Sequence, residues 1–169
     1  WQIKKDIPSQ NIPLSPQDVM KKRLKNLDEE TKEMILQAAV IGEDFSVDLL
    51  KKIDNRNESF MLELLKRAKK LRLINELQTM QNFSFINKNL QNTLYNELSD
   101  EQRNQLHYKV GQALAQEKKE NIYDSAGELA YHFTNAPLRE KAREYSRMFL
   151  EKTNRLFSPA ETLEYLDKL

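Results

Sequence analysis

Cysteine is absent from this chain of 169 residues, so it holds no disulfide, no thiolate nucleophile and no thiolate metal site. Glycine is scarce: Gly42, Gly111 and Gly127 each stand alone. A phosphate-binding loop needs clustered glycines whose backbone amides cradle phosphate, with a lysine and a hydroxyl beside them. No glycine here begins such a loop, so the chain is read as non-enzymatic, without a cofactor of its own. Histidine is represented by His107 and His132 alone, with no H-E-x-x-H spacing, which argues against a metal site. No apolar run approaches the roughly 20 residues that cross a bilayer, and the N-terminal stretch lacks the apolar core of a signal peptide. Net charge is small as well. The 27 basic and 26 acidic side chains leave a formal charge of +1, which exerts no general pull on nucleic acid or anionic lipid. The expected setting is the reducing cytoplasm, away from membranes, and a chain that opens at Trp1 is expected to be a piece of a longer protein.

A hydrophobic fraction of 39% against a charged fraction of 31% describes a helical protein able to bury a core. Pro8, Pro13 and Pro16 among polar residues mark residues 1–14 as a linker, with a strand candidate at Trp1 to Lys4. Ser15 and Pro16 are placed to open a helix reaching Asn26. Asp28 opens the next helix, in which Met34, Ile35, Ala38 and Ala39 recur at helical spacing and Gly42 stops it. Ser46 is placed to cap a short helix carrying Leu49, Leu50 and Ile53. A third helix is predicted over Glu58 to Leu71, with Phe60, Leu62, Leu64, Leu65 and Ala68 mostly on one face. Leu73–Leu77 and Asn82–Ile86 read as two strands around a turn at Gln78 to Gln81. Three helices followed by a hairpin is the plan of a winged helix, assigned to residues 15–98.

Residues 99–169 are predicted to be purely helical: Ser99 to about Lys118, Tyr123 to Thr134, Pro137 to about Leu156, and Ser158 onward. Ser125 with Glu128 and Ser158 with Glu161 have capping-box spacing. The two boxes stand close to one tetratricopeptide period apart, with Ala130, Ala142 and Tyr145 at positions that let paired helices approach. The second half is therefore read as tetratricopeptide-like and truncated. The aromatic set Tyr131, Phe133, Tyr145, Phe149 and Phe157 is expected to pack it, and a peptide groove lined by the same residues is the second reading.

Between Phe85 and His107 the spacing is more specific. Phe85, Tyr95, Leu98, Arg103 and His107 resemble a signature of the STAND-class signalling ATPases: phenylalanine, x, histidine, seven residues, tyrosine, two residues, leucine, then arginine, three residues, histidine. Asn87 stands where that signature has its first histidine. Arg23, Leu24 and Leu27, the run Ala38 to Gly42 with Phe45, Leu64 and Leu65 with Leu71 and Leu73-Ile74, and Glu128 to Phe133 follow in the order of the same family. The resemblance implies a winged helix followed by a helical-repeat superstructure, downstream of an ATPase core that would bind ATP or ADP. It implies a regulatory role, in which this segment relays nucleotide state to repeats that sense a protein or small ligand. In that family the histidine after the wing is expected to reach the nucleotide phosphate, and Asn87 would have to do so as a neutral amide donor. Propensity favours a second role for Asn87, as the N-cap of the helix that follows.

Another candidate is the cluster Lys66, Arg67, Lys69, Lys70 and Arg72, on and just after the helix that a winged helix would present to DNA. Against it stand the burial expected of Leu64 and Leu65, the macrodipole's own preference for cations at a helix C-terminus, and a turn at 78–81 without lysine or arginine. DNA binding is thus the alternative reading, and a plain protein-interaction scaffold a third.

Overall fold

The computed structural model describes residues 23–78 and 81–156. The linker over residues 1–14, the helix start at Ser15, the candidate strand at Trp1 to Lys4, and the segment from Ser158 with its capping box lie outside the described residues. The protein is mainly α-helical with one small sheet. In chain order the elements are α1 (Glu29–Ile41), β1 (Asp44–Ser46), α2 (Val47–Ile53), α3 (Glu58–Lys70), β2 (Ile74–Glu76), β3 (Asn82–Phe85), α4 (Lys88–Glu97), α5 (Asp100–Glu117), α6 (Ala126–Asn135) and α7 (Arg139–Leu156), with a 3-10 turn at Lys119–Asn121.

Caps set most boundaries. The Asp28 carboxylate accepts from the Thr31 amide and hydroxyl and opens α1, and the Arg67 guanidinium nearby adds to the effect of these bonds in holding the carboxyl below its usual range. Gly42, at φ 155, ends that helix in backbone that side chains rarely adopt. Ser46 accepts from Leu49, Asn57 from Phe60 and Asn87 from Leu90, so α2, α3 and α4 each begin on a side-chain cap. Ser99 and Gln102 form a reciprocal capping box at the start of α5.

Two expectations about caps and faces need correction. Ser125 makes no capping bond, so the Ser125–Glu128 box is not formed. Its backbone sits at ψ 6, inside a run of tight turns in which its amide bonds to the Ile122 carbonyl. That conformation turns the hydroxyl away from the first helical amides, which an extended N-cap would have faced. Consequently α6 starts at Ala126, three residues after the predicted Tyr123. On α3 the buried face is Met61, Leu64, Leu65 and Ala68, whereas Phe60 and Leu62 are only partly covered.

The sheet is three-stranded and antiparallel in the order β1-β3-β2. β1 was not anticipated: Asp44 to Ser46 pair with Ser84 to Asn82 on the opposite side of β3 from β2. Phe45 thereby stacks near Phe83 and Phe85, with ring centroids 6.0 and 5.6 Å apart, and the cluster seals one edge of the core.

The apolar core runs without interruption from Met34 through Leu50, Leu65, Phe85 and Leu94 to Val110, Leu129 and Tyr145. α4 packs on α1, and α5 packs on α1, α2 and α6, so α5 belongs to both halves of the protein. The Gln91 side-chain amide donates to the Ala39 carbonyl at 2.7 Å and ties α4 to α1. Ion pairs from Lys32 to Glu97 and from Lys52 to Glu117 fasten the same junction from outside.

Candidate functional site

Where α4, α5 and α6 meet, the residues of the Phe85–His107 signature converge with residues that sequence reasoning had kept apart. Tyr95 lies two turns into α4, and Leu98 closes that helix on the buried side. Arg103 in the first turns of α5 lies over the Tyr95 ring at 5.2 Å and pairs with Asp100. One turn further, His107 points inward and is wholly buried, as is His132 on α6. The two imidazoles meet Nδ1 to Nδ1 at 2.9 Å, and the Tyr95 hydroxyl lies 3.0 Å from His107 Nε2. The ring of Tyr131 closes the cluster, edge-on to His107 at 5.4 Å and to His132 at 5.3 Å.

Proton positions follow from counting partners. His132 Nε2 is buried and has no hydrogen-bond partner among the described residues. A buried N–H left alone costs more than a lone pair left alone, so His132 carries its proton on Nδ1 and donates it to His107 Nδ1. His107 is then protonated on Nε2 and donates to the Tyr95 oxygen. Burial, with the Arg103 charge adding to it, lowers the His107 pKa to about 4. Burial and its histidine neighbour lower that of His132 to about 3. Both rings are therefore neutral near pH 7. Burial also raises the Tyr95 and Tyr131 phenols, so neither supplies an anion. The arrangement stacks and hydrogen-bonds three helices together.

The structure buries His132 fully and joins it to His107, 25 residues away in sequence. Sequence alone carried one signal for this, since His107 closes the Phe85–His107 pattern and His132 falls in the run Glu128 to Phe133. Among the described residues no group of three or more histidine, cysteine, aspartate or glutamate side chains is placed to hold a metal ion.

Asn87 lies at the upstream end of the same helix α4. Its Oδ1 accepts from the Leu90 amide at 2.9 Å, and the residue is exposed. The capping bond uses the oxygen only, so the side-chain NH2 is not consumed by it and has donors to offer. Capping and recognition of an acceptor are thus compatible at this residue.

Two of the five cations in the cluster are held by carboxylates. Arg67 pairs with Glu63 and Asp28, and Lys69 pairs with Glu76 at 2.7 Å. The Arg72 carbonyl accepts from Arg23, and Arg72 itself lies at φ 55 in the turn after α3. Lys66 and Lys70 on the last turns of α3, and the Arg72 side chain just after them, remain exposed. Glu58 and Glu63 occupy the exposed face earlier in that helix. Of the aromatic set, Phe133 and Tyr145 stack with centroids 5.4 Å apart, but Tyr131 is 48% exposed, and Phe157 lies outside the described residues.

No family model, curated protein or solved structure matches the chain.

Proposed function

We propose that this chain is a non-catalytic regulatory segment of a larger signalling ATPase or transcriptional regulator. In this reading residues 15–98 form a winged helix, residues 99–169 begin a tetratricopeptide-like array, and the segment passes the nucleotide state of an upstream ATPase core to that array. The observation that carries the reading is the buried chain Tyr95, His107, His132. It links α4, which begins at Asn87, to α6 in the helical half, through polar contacts that exist only when the three helices hold one arrangement. The element order helix, strand, helix, helix, strand, strand, with sheet order β1-β3-β2, supports the winged-helix part.

A displacement of α4 at Asn87 would have to break or carry along the Tyr95–His107–His132 contacts. Packed polar joints of this kind have few intermediate positions, which suits a two-state relay. ATP or ADP would sit on the upstream domain, with the exposed Asn87 amide as the group that could reach toward it.

DNA binding by α3 is the second reading, carried by Lys66 and Lys70 on the exposed face. The carboxylates Glu58 and Glu63 on the same helix, and the ion pairs that occupy Arg67 and Lys69, count against it.

The test is the coding sequence upstream of Trp1. The relay reading expects a G-x-x-x-x-G-K-S/T loop between a strand and a helix there. An upstream region without a nucleotide-binding core would remove the relay and leave DNA titration as the deciding experiment.

A further inference from the structure

On the outer side of the α6–α7 hairpin runs a groove of about 340 Å³. Gly127, Ala130 and Tyr131 line it from α6, and Ser146, Phe149 and Leu150 from α7. Its surface is almost entirely apolar. Tyr131 and Leu150, at 48% and 39% exposure, are among the few large apolar side chains that the described residues leave open to solvent. The groove depends on a small residue at its base: a Cβ on Gly127 would meet the Phe149 ring at 3.0 Å.

One edge of the groove is cationic. Arg139, Arg143 and Arg147 follow one another at i, i+4 and i+8 along α7 and are exposed, and none of them makes an ion pair among the described residues. Together with Thr134, Ser146 and Leu150 they line an adjoining depression that continues the groove, and among the described residues no carboxylate lines it. The glutamates of α7, Glu140, Glu144 and Glu151, line a separate hollow on the far side of Arg143 and Arg147. The surface therefore reads, from α6 outward, as small apolar floor, aromatic and aliphatic wall, arginine edge.

We propose that this groove binds an amphipathic α-helix with an acidic flank, supplied by a partner protein. A trough between two helices fits the ridge of a third helix, whose apolar stripe would cover Tyr131 and Leu150. Carboxylates along its flank would reach the arginine forks, which bind them bidentately. The inference rests on the reading of the helical half as the partner-receiving part and is independent of the nucleotide relay. The chain alone can bind such a helix whether or not an ATPase lies upstream.

The probe is a fluorescein-labelled synthetic helix of roughly 16 residues, with leucine at three and four spacing and glutamate along one flank, and a second version with lysine in place of glutamate. Fluorescence anisotropy with the full 169-residue chain is expected to show the acidic peptide binding at least about tenfold more tightly than the basic one, and more weakly as salt is added. The double variant Arg143→Glu, Arg147→Glu should reverse the preference. Both positions are exposed, so circular dichroism should show the fold unchanged. Tyr131→Ala with Leu150→Ala should weaken binding of the acidic peptide at least about tenfold while leaving its preference over the basic one. The proposal is overturned if the acidic peptide does not bind, if the two peptides bind equally, or if arginine reversal has no effect. It is overturned equally if the wild-type chain takes anionic phosphatidylserine vesicles in preference to the acidic peptide.

Discussion

His107 and His132 face each other through their Nδ1 atoms at 2.9 Å, and neither ring touches solvent. One proton serves the contact, and it belongs to His132 because the far nitrogen of that ring has no partner among the described residues to receive a donated hydrogen. Burial favours the neutral form of both rings. Two buried cations in contact would repel, and the Arg103 charge adds to the cost for His107.

Acid should therefore loosen the protein. Both folded pKa values, about 4 and about 3, lie below the ordinary 6.5, so the unfolded chain takes up protons first. Stability from this pair is intact above about pH 7, falls as pH drops through 6.5, and goes on falling until the folded rings titrate. Each histidine contributes a slope of at most about 1.4 kcal/mol per pH unit. Urea unfolding at about pH 7 and about pH 5 should show the loss. The double variant His107→Leu, His132→Leu, which replaces both polar partners by apolar ones, should flatten it. An unchanged slope in that variant would contradict the assignment.

Asn87→Ala removes the cap of α4 and should cost about 1 kcal/mol of stability in urea unfolding. Asn87→Asp keeps an acceptor for the Leu90 amide and should recover that loss, while taking away the side-chain NH2. In the parent protein the Asp variant should therefore fold normally and respond less to nucleotide. A full nucleotide response would remove Asn87 from the sensor role.

Gly111 sits where α5 crosses α6, and a Cβ there would come 3.0 Å from two ring carbons of Phe133. That ring is wholly buried and stacked on Tyr145, so it has little room to give way. Gly111→Val should cost about 1 to 3 kcal/mol by overpacking, read as a lowered Tm. Gly111→Ala should cost less, because about 1 kcal/mol of helix propensity is regained.

Local chemistry in the sequence foretold most helix starts. The caps at Asp28, Ser46, Asn87 and Ser99 and the stop at Gly42 each depend on bonds within three or four residues, so the residue type is enough to find them. Failures came where a distant partner decides. β1 is three residues long and forms only because β3, nearly forty positions later, offers its second edge. On α3 periodicity found Leu64, Leu65 and Ala68 but took Phe60 for Met61 at the start of the face, since both are apolar and only packing against α1 chooses between them. The histidine contact was hidden for the same reason. Each ring lies on the inward side of its own helix, and spacing within a helix does not say which side chain waits across the interface. The Ser125 box had the right letters, but the turn before it holds the backbone in the wrong conformation.

The alternative function has a direct check. Duplex DNA titrated into the chain at about 0.15 M salt should bind no better than the nonspecific range of about 10⁻⁴ to 10⁻⁶ M, and Lys66→Glu with Lys70→Glu should change little. Tight binding with a steep salt slope, lost in that variant, would instead favour the DNA-reading role.

In the proposed relay, α4 and α6 move as one through the histidine pair. Hydrogen exchange in the intact parent protein, with ATP and then ADP bound, reads the amides of Lys88–Glu97 and Ala126–Asn135 separately. The expected result is that both segments change protection together in the natural protein, and that His132→Leu leaves the α4 change in place while removing the α6 change. An α6 that ignores nucleotide, or that follows it equally well in His132→Leu, would contradict the account.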